Sequence, residues 1–294
     1  MARTIVPSIP TGIGMNYYHE SMGYEARTNE QIDADLDKIA SLTKRIKVYH
    51  SPYQNSGGVS AILSLSICKN IVTKAKLKDF YVVWAENHED GSNNLNGNGS
   101  GAYSWEEYST LVIADAAEAE AAGADEFLVG NELSLHNDAT ASYYDDTNLP
   151  ANVKTLATAC ESNFSGPVSC QEGWWKAGAW NLAGLGDLPK IYFTLYESQA
   201  DFKTNAQDIY DSFGNNAIIG EFSTSSTFAN AAGSNEELWY RQIANKVKIL
   251  SDIGLQMDYF TYKEGTDGFG MTSSEDTFHL AWQALFGGRK WFIT

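Results

Sequence analysis

The sequence predicts an α/β protein folded as a single (β/α)8 TIM barrel spanning all 294 residues. Three observations carry that prediction. Short apolar runs alternate with amphipathic helical stretches from end to end, there are eight such runs, and no linker or shift in composition divides the chain. Barrels of this kind fill about 200 to 400 residues as one domain, and the handedness of βαβ crossovers makes their strands parallel.

The candidate strands are 12–17, 45–49, 79–84, 126–130, 168–171, 191–196, 217–220 and 257–262. Between the first two, Ile32, Leu36, Ile39 and Leu42 recur at helical spacing. Ser104 followed by Glu107 forms a capping box that opens a helix running to Ala122, and Gly123 stands where a C-terminal cap is expected. Leu238, Ile243, Val247 and Leu250 mark the helix before the last strand, again closed by a glycine, Gly254. The competing architecture is a doubly wound open sheet. It normally carries a glycine-rich phosphate turn after its first strand, whereas Gly12-Ile-Gly14 lies inside that strand with no third glycine on schedule. Segment 90–101, rich in Asn and Gly, is expected to be a long exposed loop after the third strand.

Composition narrows the function. A formal charge of −17 repels phosphate backbones, which excludes nucleic acid as a partner and disfavours polyanionic sugars, so a neutral substrate is expected. No run approaches the roughly 20 apolar residues of a membrane helix. The N-terminus lacks the layout of a secretory signal, and the expectation is a secreted protein whose signal is not part of this chain. Cys68, Cys160 and Cys170 form no metal-type cluster and are expected as buried thiols, with a Cys160–Cys170 disulfide as the alternative. The five histidines show no metal-hydrolase spacing, and no serine nucleophile elbow occurs, so neither a metal nor a cofactor is expected. The chain is expected to act as a monomer.

The chemistry should gather at the C-terminal rim, where side chains leave the strands together. Two apolar runs end there on glutamates after a small residue: Phe127-Leu-Val-Gly-Asn-Glu132 and Ala217-Ile-Ile-Gly-Glu221. Two carboxylates meeting at one cleft are the equipment for cleaving a glycosidic bond. The same rim is dense in aromatic residues, which stack on the C–H faces of sugar rings. Tyr17, Trp84, Trp174, Trp175 and Tyr262 are the candidate sugar platforms, with the note that adjacent Trp174 and Trp175 cannot both face inward. His50, at the end of the second strand, joins them as a candidate substrate-site residue.

At these two motifs the chain resembles clan A of the retaining glycoside hydrolases. The residues are Asn131-Glu132 within Leu-Val-Gly-Asn-Glu-Leu-Ser at the fourth strand and Glu221 within Ile-Ile-Gly-Glu-Phe-Ser at the seventh. The resemblance implies that Glu132 is the acid/base, Glu221 the nucleophile, and Asn131 the partner of the substrate 2-hydroxyl. It also implies that Tyr196 matches the clan's tyrosine on strand six, which orients the nucleophile. Such a retaining pair stands about 5 to 5.5 Å apart, so that one carboxyl is expected to hold its proton. The implied activity is an endo-β-glycanase acting on a neutral polysaccharide of the β-glucan, mannan or galactan kind. Val129-Gly-Asn-Glu132 is similar to the β-1,3-glucanase pattern, although the Gly-Trp-Pro usual after the nucleophile there is missing.

Two departures stand out. Clan members commonly place an arginine late on strand two to support the nucleophile. Here Arg45 and Lys47 come earlier and the strand exits on Tyr49-His50, leaving Lys47 or His50 to take that part. Tyr262-Lys263 stands where a tryptophan commonly ends strand eight. Two other classes compete: a divalent-metal sugar isomerase or epimerase using Glu86, Glu132, Glu172 and Glu264 as ligands, and a catalytically silent carbohydrate-binding barrel.

Overall fold

A computed structural model describes residues 13–17, 28–40, 43–50, 65–87, 105–136, 148–196, 199–222 and 236–259. Its strands are β1 (Ile13–Tyr17), β2 (Arg45–His50), β3 (Tyr81–Glu86), β4 (Glu126–Asn131), β5 (Val168–Gly173), β6 (Ile191–Leu195), β7 (Ala217–Phe222) and β8 (Gln256–Tyr259). They pair in parallel and in chain order, and β8 closes on β1. This is the expected eight-stranded barrel, and closure rules out the open doubly wound sheet. The described helices are α1 (Asn29–Ala40), α2 (Leu65–Leu77), α3 (Trp105–Ala122), α4 (Leu149–Cys160), α5 (Ala177–Leu182), α6 (Gln199–Phe213) and α7 (Glu236–Ile253).

Each strand alternates its side chains between two cores. The outward set of Ile13, Met15, Ile46, Val48, Val82, Phe127, Val129, Ile191, Phe193, Ile219 and Met257 packs beneath the helices. The helices answer with their own apolar stripes: Ile32, Leu36 and Ile39 on α1, and Ile243, Val247 and Leu250 on α7. A second, smaller core lies inside the barrel, built from Tyr49, Val83, Ala85, Leu128, Tyr192 and Ile218. Toward the start of the strands the interior is closed by charge. The Arg45 guanidinium pairs with Asp258 at 2.8 Å and donates to the Tyr192 hydroxyl, while Glu126 accepts from Tyr81 and from Lys190. Buried ions are tolerated there because each has a partner.

Local sequence explains several element ends. Thr28 and Gln31 cap α1 reciprocally, each backbone N–H donating to the other's side chain at 2.9 and 3.3 Å. Gly123 and Gly254 end α3 and α7 in the left-handed conformation, at φ 87° and 96°. The capping-box residue Ser104 and the apolar Leu42 lie outside the described residues, as do segment 90–101 and residues 260–262 of the expected last strand. The third strand begins two residues later than expected. Asp79 adopts φ 60° in the turn that closes α2, a conformation that aspartate tolerates better than most residues. β5 and β7 each run two residues further than expected and so include Glu172 and Glu221. All three cysteines are buried free thiols, so Cys160 and Cys170 are not paired. Among the described residues, no helix is long and apolar enough to cross a membrane.

Candidate active site

The C-terminal end of the barrel interior is organised around one carboxylate. Three donors, two from strands and one from the residue after a strand, converge on Glu221. The Tyr49 hydroxyl of β2 and the Gln171 amide of β5 (2.7 Å) donate to Oε1, and the Tyr196 hydroxyl, just past β6, donates to Oε2 at 2.8 Å. Hydrogen bonds to a charged acceptor are about twice as strong as neutral ones, and three from different directions leave the carboxylate one orientation. The group is buried.

A second tier fixes the donors. Lys47 Nζ donates to the Gln171 carbonyl oxygen and, at 2.7 Å, to the backbone oxygen of Gly220. A lysine offers only donors, so the Gln171 oxygen must face Lys47 and its NH2 must face Glu221. That NH2 also reaches the Thr194 hydroxyl at 3.2 Å. Asn16 of β1 donates to the same Gly220 oxygen at 3.0 Å. Lys47 is fully buried, and burial pushes its pKa from 10.5 down to about 8, against the opposing pull of Glu221, Asp258 and Glu132. Both glutamates therefore act on the same ammonium.

Glu132 follows β4 with its backbone in the left-handed region, at φ 49°, unusual for a residue bearing a side chain. The turn is held from both sides. The Glu132 N–H donates to the Gln171 backbone oxygen at 2.9 Å, and Leu133 folds back over Gly130. A Cβ on Gly130 would lie 2.6 Å from Leu133 Cδ1, so only glycine fits under that fold. Such strained backbone concentrates at functional sites. Gln171 thus touches both glutamates, the main chain of one through its carbonyl and the carboxylate of the other through its amide.

Asn131, the last residue of β4, is buried, and its Oδ1 has no hydrogen-bond partner. Trp174 and Trp175 form a short turn after β5 with their rings edge-on, 6.3 Å apart. Trp174 packs partly against the outer core, whereas Trp175 is 47% exposed.

Three residues expected at the substrate face lie elsewhere. Tyr17, His50 and Trp84 carry the outward parity of their strands and are buried between sheet and helices. The Tyr17 hydroxyl donates to Asp35 of α1 at 2.9 Å. His50 faces Glu86 and Asp115 of α3. The Trp84 indole donates to Glu86 at 2.7 Å, with its ring 5.3 Å from that of His50. None of the three offers a ring to the barrel mouth, and His50 does not reach Glu221. Of the two candidates to support Glu221, Lys47 is the one inside. Tyr262 lies outside the described residues.

Sequence reasoning did not single out Tyr49, Gln171, Asn16 or Thr194. For Tyr49 the signal was present. In β2 the polar Arg45, Lys47 and Tyr49 alternate with Ile46 and Val48, and the apolar set must be the one beneath the helices. Among the described residues, the ligands of a metal-isomerase reading do not converge either. Glu86 sits in the outer layer, and Glu172 is held by the Ser134 side chain and by the backbone N–H groups of Ser134 and Gly173. Glu264 lies outside the described residues.

No family model and no curated protein sequence matches the chain. Solved structures do match its fold. A GH113 beta-1,4-mannanase superposes with a TM-score of 0.65 at 11% identity, covering 92% of this chain and 98% of that one. A family 5 xyloglucanase from Paenibacillus pabuli gives 0.66 at 13%, covering 94% and 99%. A GH5-4 broad specificity endoglucanase from an uncultured bacterium gives 0.62 at 16%, covering 97% and 96%. At these identities the likeness is one of fold: the chain shares the (β/α)8 architecture of these enzymes over nearly its whole length.

Proposed function

We propose that the chain is a retaining glycoside hydrolase that cleaves a neutral β-linked polysaccharide at internal bonds. The observation that carries this reading is the three-donor cradle around Glu221, tied through Gln171 to Glu132 just after β4. A carboxylate fixed in one orientation is prepared for in-line attack on an anomeric carbon. Glu221 would form the glycosyl ester while Glu132 protonates the departing oxygen. Glu132 would then take a proton from the water that cleaves the ester. The buried, unpartnered Asn131 Oδ1 suits the substrate 2-hydroxyl, a contact that strengthens as positive charge develops on the sugar. The fold neighbours include a mannanase, a xyloglucanase and an endoglucanase, which supports a glycan substrate of that general class. The exposed Trp175 ring is the candidate stacking surface for a sugar unit beyond the cleavage point.

A panel of mannan, xyloglucan, β-glucan and galactan, with products sized and their anomeric configuration followed by NMR, tests this directly. Retention of configuration and oligomeric products are expected. Inversion would remove the nucleophile role of Glu221. Glu221→Gln should abolish turnover. Glu132→Gln should lose about 10²–10⁴ on polysaccharide while sparing activated aryl glycosides, whose leaving groups need no acid. A Glu132→Gln enzyme within tenfold of wild type on polysaccharide would refute the acid role.

A further inference from the structure

Behind the sheet, away from the barrel interior, three ionisable side chains meet at the junction of β2, β3 and α3. His50 and Glu86 are register partners at the ends of their strands, and Asp115 reaches them from the helix above. His50 Nδ1 lies 3.1 and 3.2 Å from the two Glu86 oxygens and 3.5 Å from Asp115 Oδ2. One ligand atom from each residue falls within 4.8 Å of the others. The cluster is buried: His50 is 2% exposed, Glu86 0% and Asp115 9%.

Its charge does not balance. A protonated imidazole offsets one carboxylate and leaves the second uncompensated in a water-poor layer, where a lone charge is costly. Glu86 is served by the Trp84 indole as well as by His50, but Asp115 Oδ2 is buried and accepts no hydrogen bond.

We propose that His50, Glu86 and Asp115 bind a divalent transition-metal ion, zinc being the best match, which clamps the ends of β2 and β3 to α3. The spacing suits it. Nitrogen and oxygen ligands about 2.0–2.2 Å from a tetrahedral zinc stand about 3.3–3.6 Å apart, close to the separations from His50 Nδ1. One imidazole with two carboxylates favours zinc, manganese or cobalt over calcium or magnesium, which prefer all-oxygen shells of six or more ligands. The ion would supply the missing positive charge, give Asp115 Oδ2 a partner, and join helix to sheet. Its role is structural, since the cluster lies outside the barrel interior. Spacing rules overlook such a site because its ligands come from three separate elements rather than from one short motif.

The test uses the full chain, stripped with EDTA and titrated with zinc chloride by calorimetry, with magnesium chloride as control and thermal melting in parallel. One zinc per chain is expected, with the melting temperature rising by about 5 °C at a hundredfold excess over Kd. Asp115→Asn and His50→Gln should abolish both effects. Asp115→Asn removes a buried charge at nearly constant shape, so its metal-free melting temperature should be no lower than that of the stripped wild type. Absence of saturable zinc binding, as when a proton alone neutralises the cluster, overturns the proposal. So does zinc binding that survives both substitutions. The titration involves no sugar, so its outcome is independent of whether the barrel cleaves one.

Discussion

Lys47 is the residue whose replacement best probes how the barrel interior holds Glu221. Its ammonium is fully buried, donates to Gln171 and to the Gly220 carbonyl, and feels the charge of both glutamates. Lys47→Met keeps the stem and removes the charge. Gly220 keeps Asn16 as a donor, so the main chain of β7 stays satisfied. The Gln171 oxygen, however, loses the partner that fixes its amide, and Glu221 loses its nearby cation. A charge-assisted hydrogen bond is worth about 1.5–3 kcal/mol, which at 1.36 kcal/mol per decade corresponds to about ten- to 150-fold in kcat. KM should change much less, because Lys47 is buried beneath the cleft and touches no substrate.

The pH profile gives an independent readout. With a folded pKa of about 8, wild-type Lys47 is charged below that value and loses its charge as pH rises through it. The alkaline limb of kcat should therefore fall near pH 8 in the wild type and move upward in Lys47→Met. Stability carries the opposite sign. The folded pKa lies below the unfolded 10.5, so between those values the native state binds fewer protons and wild-type stability increases with pH. Lys47→Met lacks that increase and should melt at or above the wild-type temperature at pH 7, since a buried charge has been removed. Kinetics on a soluble glycan across pH 5–10, with melting curves alongside, measure all three. A mutant with kcat within twofold of wild type and an unmoved alkaline limb would refute the argument that Lys47 sustains the nucleophile.

Other substitutions separate the interior from the outer layer. Gly220→Ala places a Cβ 2.3 Å from the Gln171 oxygen and 2.9 Å from the Tyr192 ring, so the amide must leave Glu221. At least a tenfold loss of kcat is expected with the circular dichroism of a folded barrel, and an unchanged kcat would refute the close packing. Tyr196→Phe removes one of three donors to Glu221 and should lower kcat by about ten- to 150-fold on the same hydrogen-bond scale; a loss below twofold would show that the other two donors suffice. Trp84→Phe leaves Glu86 without its indole donor and opens space in the outer core. It should lower the melting temperature while leaving KM for polysaccharide unchanged, and a raised KM would return Trp84 to the sugar-binding surface.

The fold was legible because every strand of a barrel wrapped in helices is apolar on its outer face, and a run such as Ala217-Ile-Ile carries that signature whatever lies beyond it. The site was less legible because position on the rim does not determine direction. Tyr17, His50 and Trp84 end their strands as plainly as Tyr49 or Gln171 do, yet alternation sends them outward. In β2 the contrast between Lys47 and Val48 settles which face is which. In β3 it does not, because Val82, Val83, Trp84 and Ala85 are all apolar and either face could be the inner one.

Strict alternation fails at the residue that matters most. In β7, Ile218 belongs to the inner core, while Ala217 and Ile219 belong to the outer one. Two-residue periodicity would then put Gly220 inside and Glu221 outside, under the helices. The pairing with β6 shows how the chain avoids this. Phe193 faces Ile219 but Thr194 faces Glu221, so Gly220 is an extra residue and the register shifts by one. Phe222 returns to the outer core, leaving Gly220 and Glu221 both turned inward. β4 repeats the pattern, with a register break between Leu128 and Asn131 around Gly130, immediately before Asn131 and Glu132. Glycine is required in both places because the bulge brings a neighbouring side chain, Gln171 or Leu133, to within van der Waals distance of the position a Cβ would take. A glycine one or two residues before a strand-end glutamate is thus more than a small residue at an exit. It allows the bulge that turns an acid from the helix layer toward the cleft, and a substitution that closed it would be expected to rotate the carboxylate away even with every catalytic group still encoded.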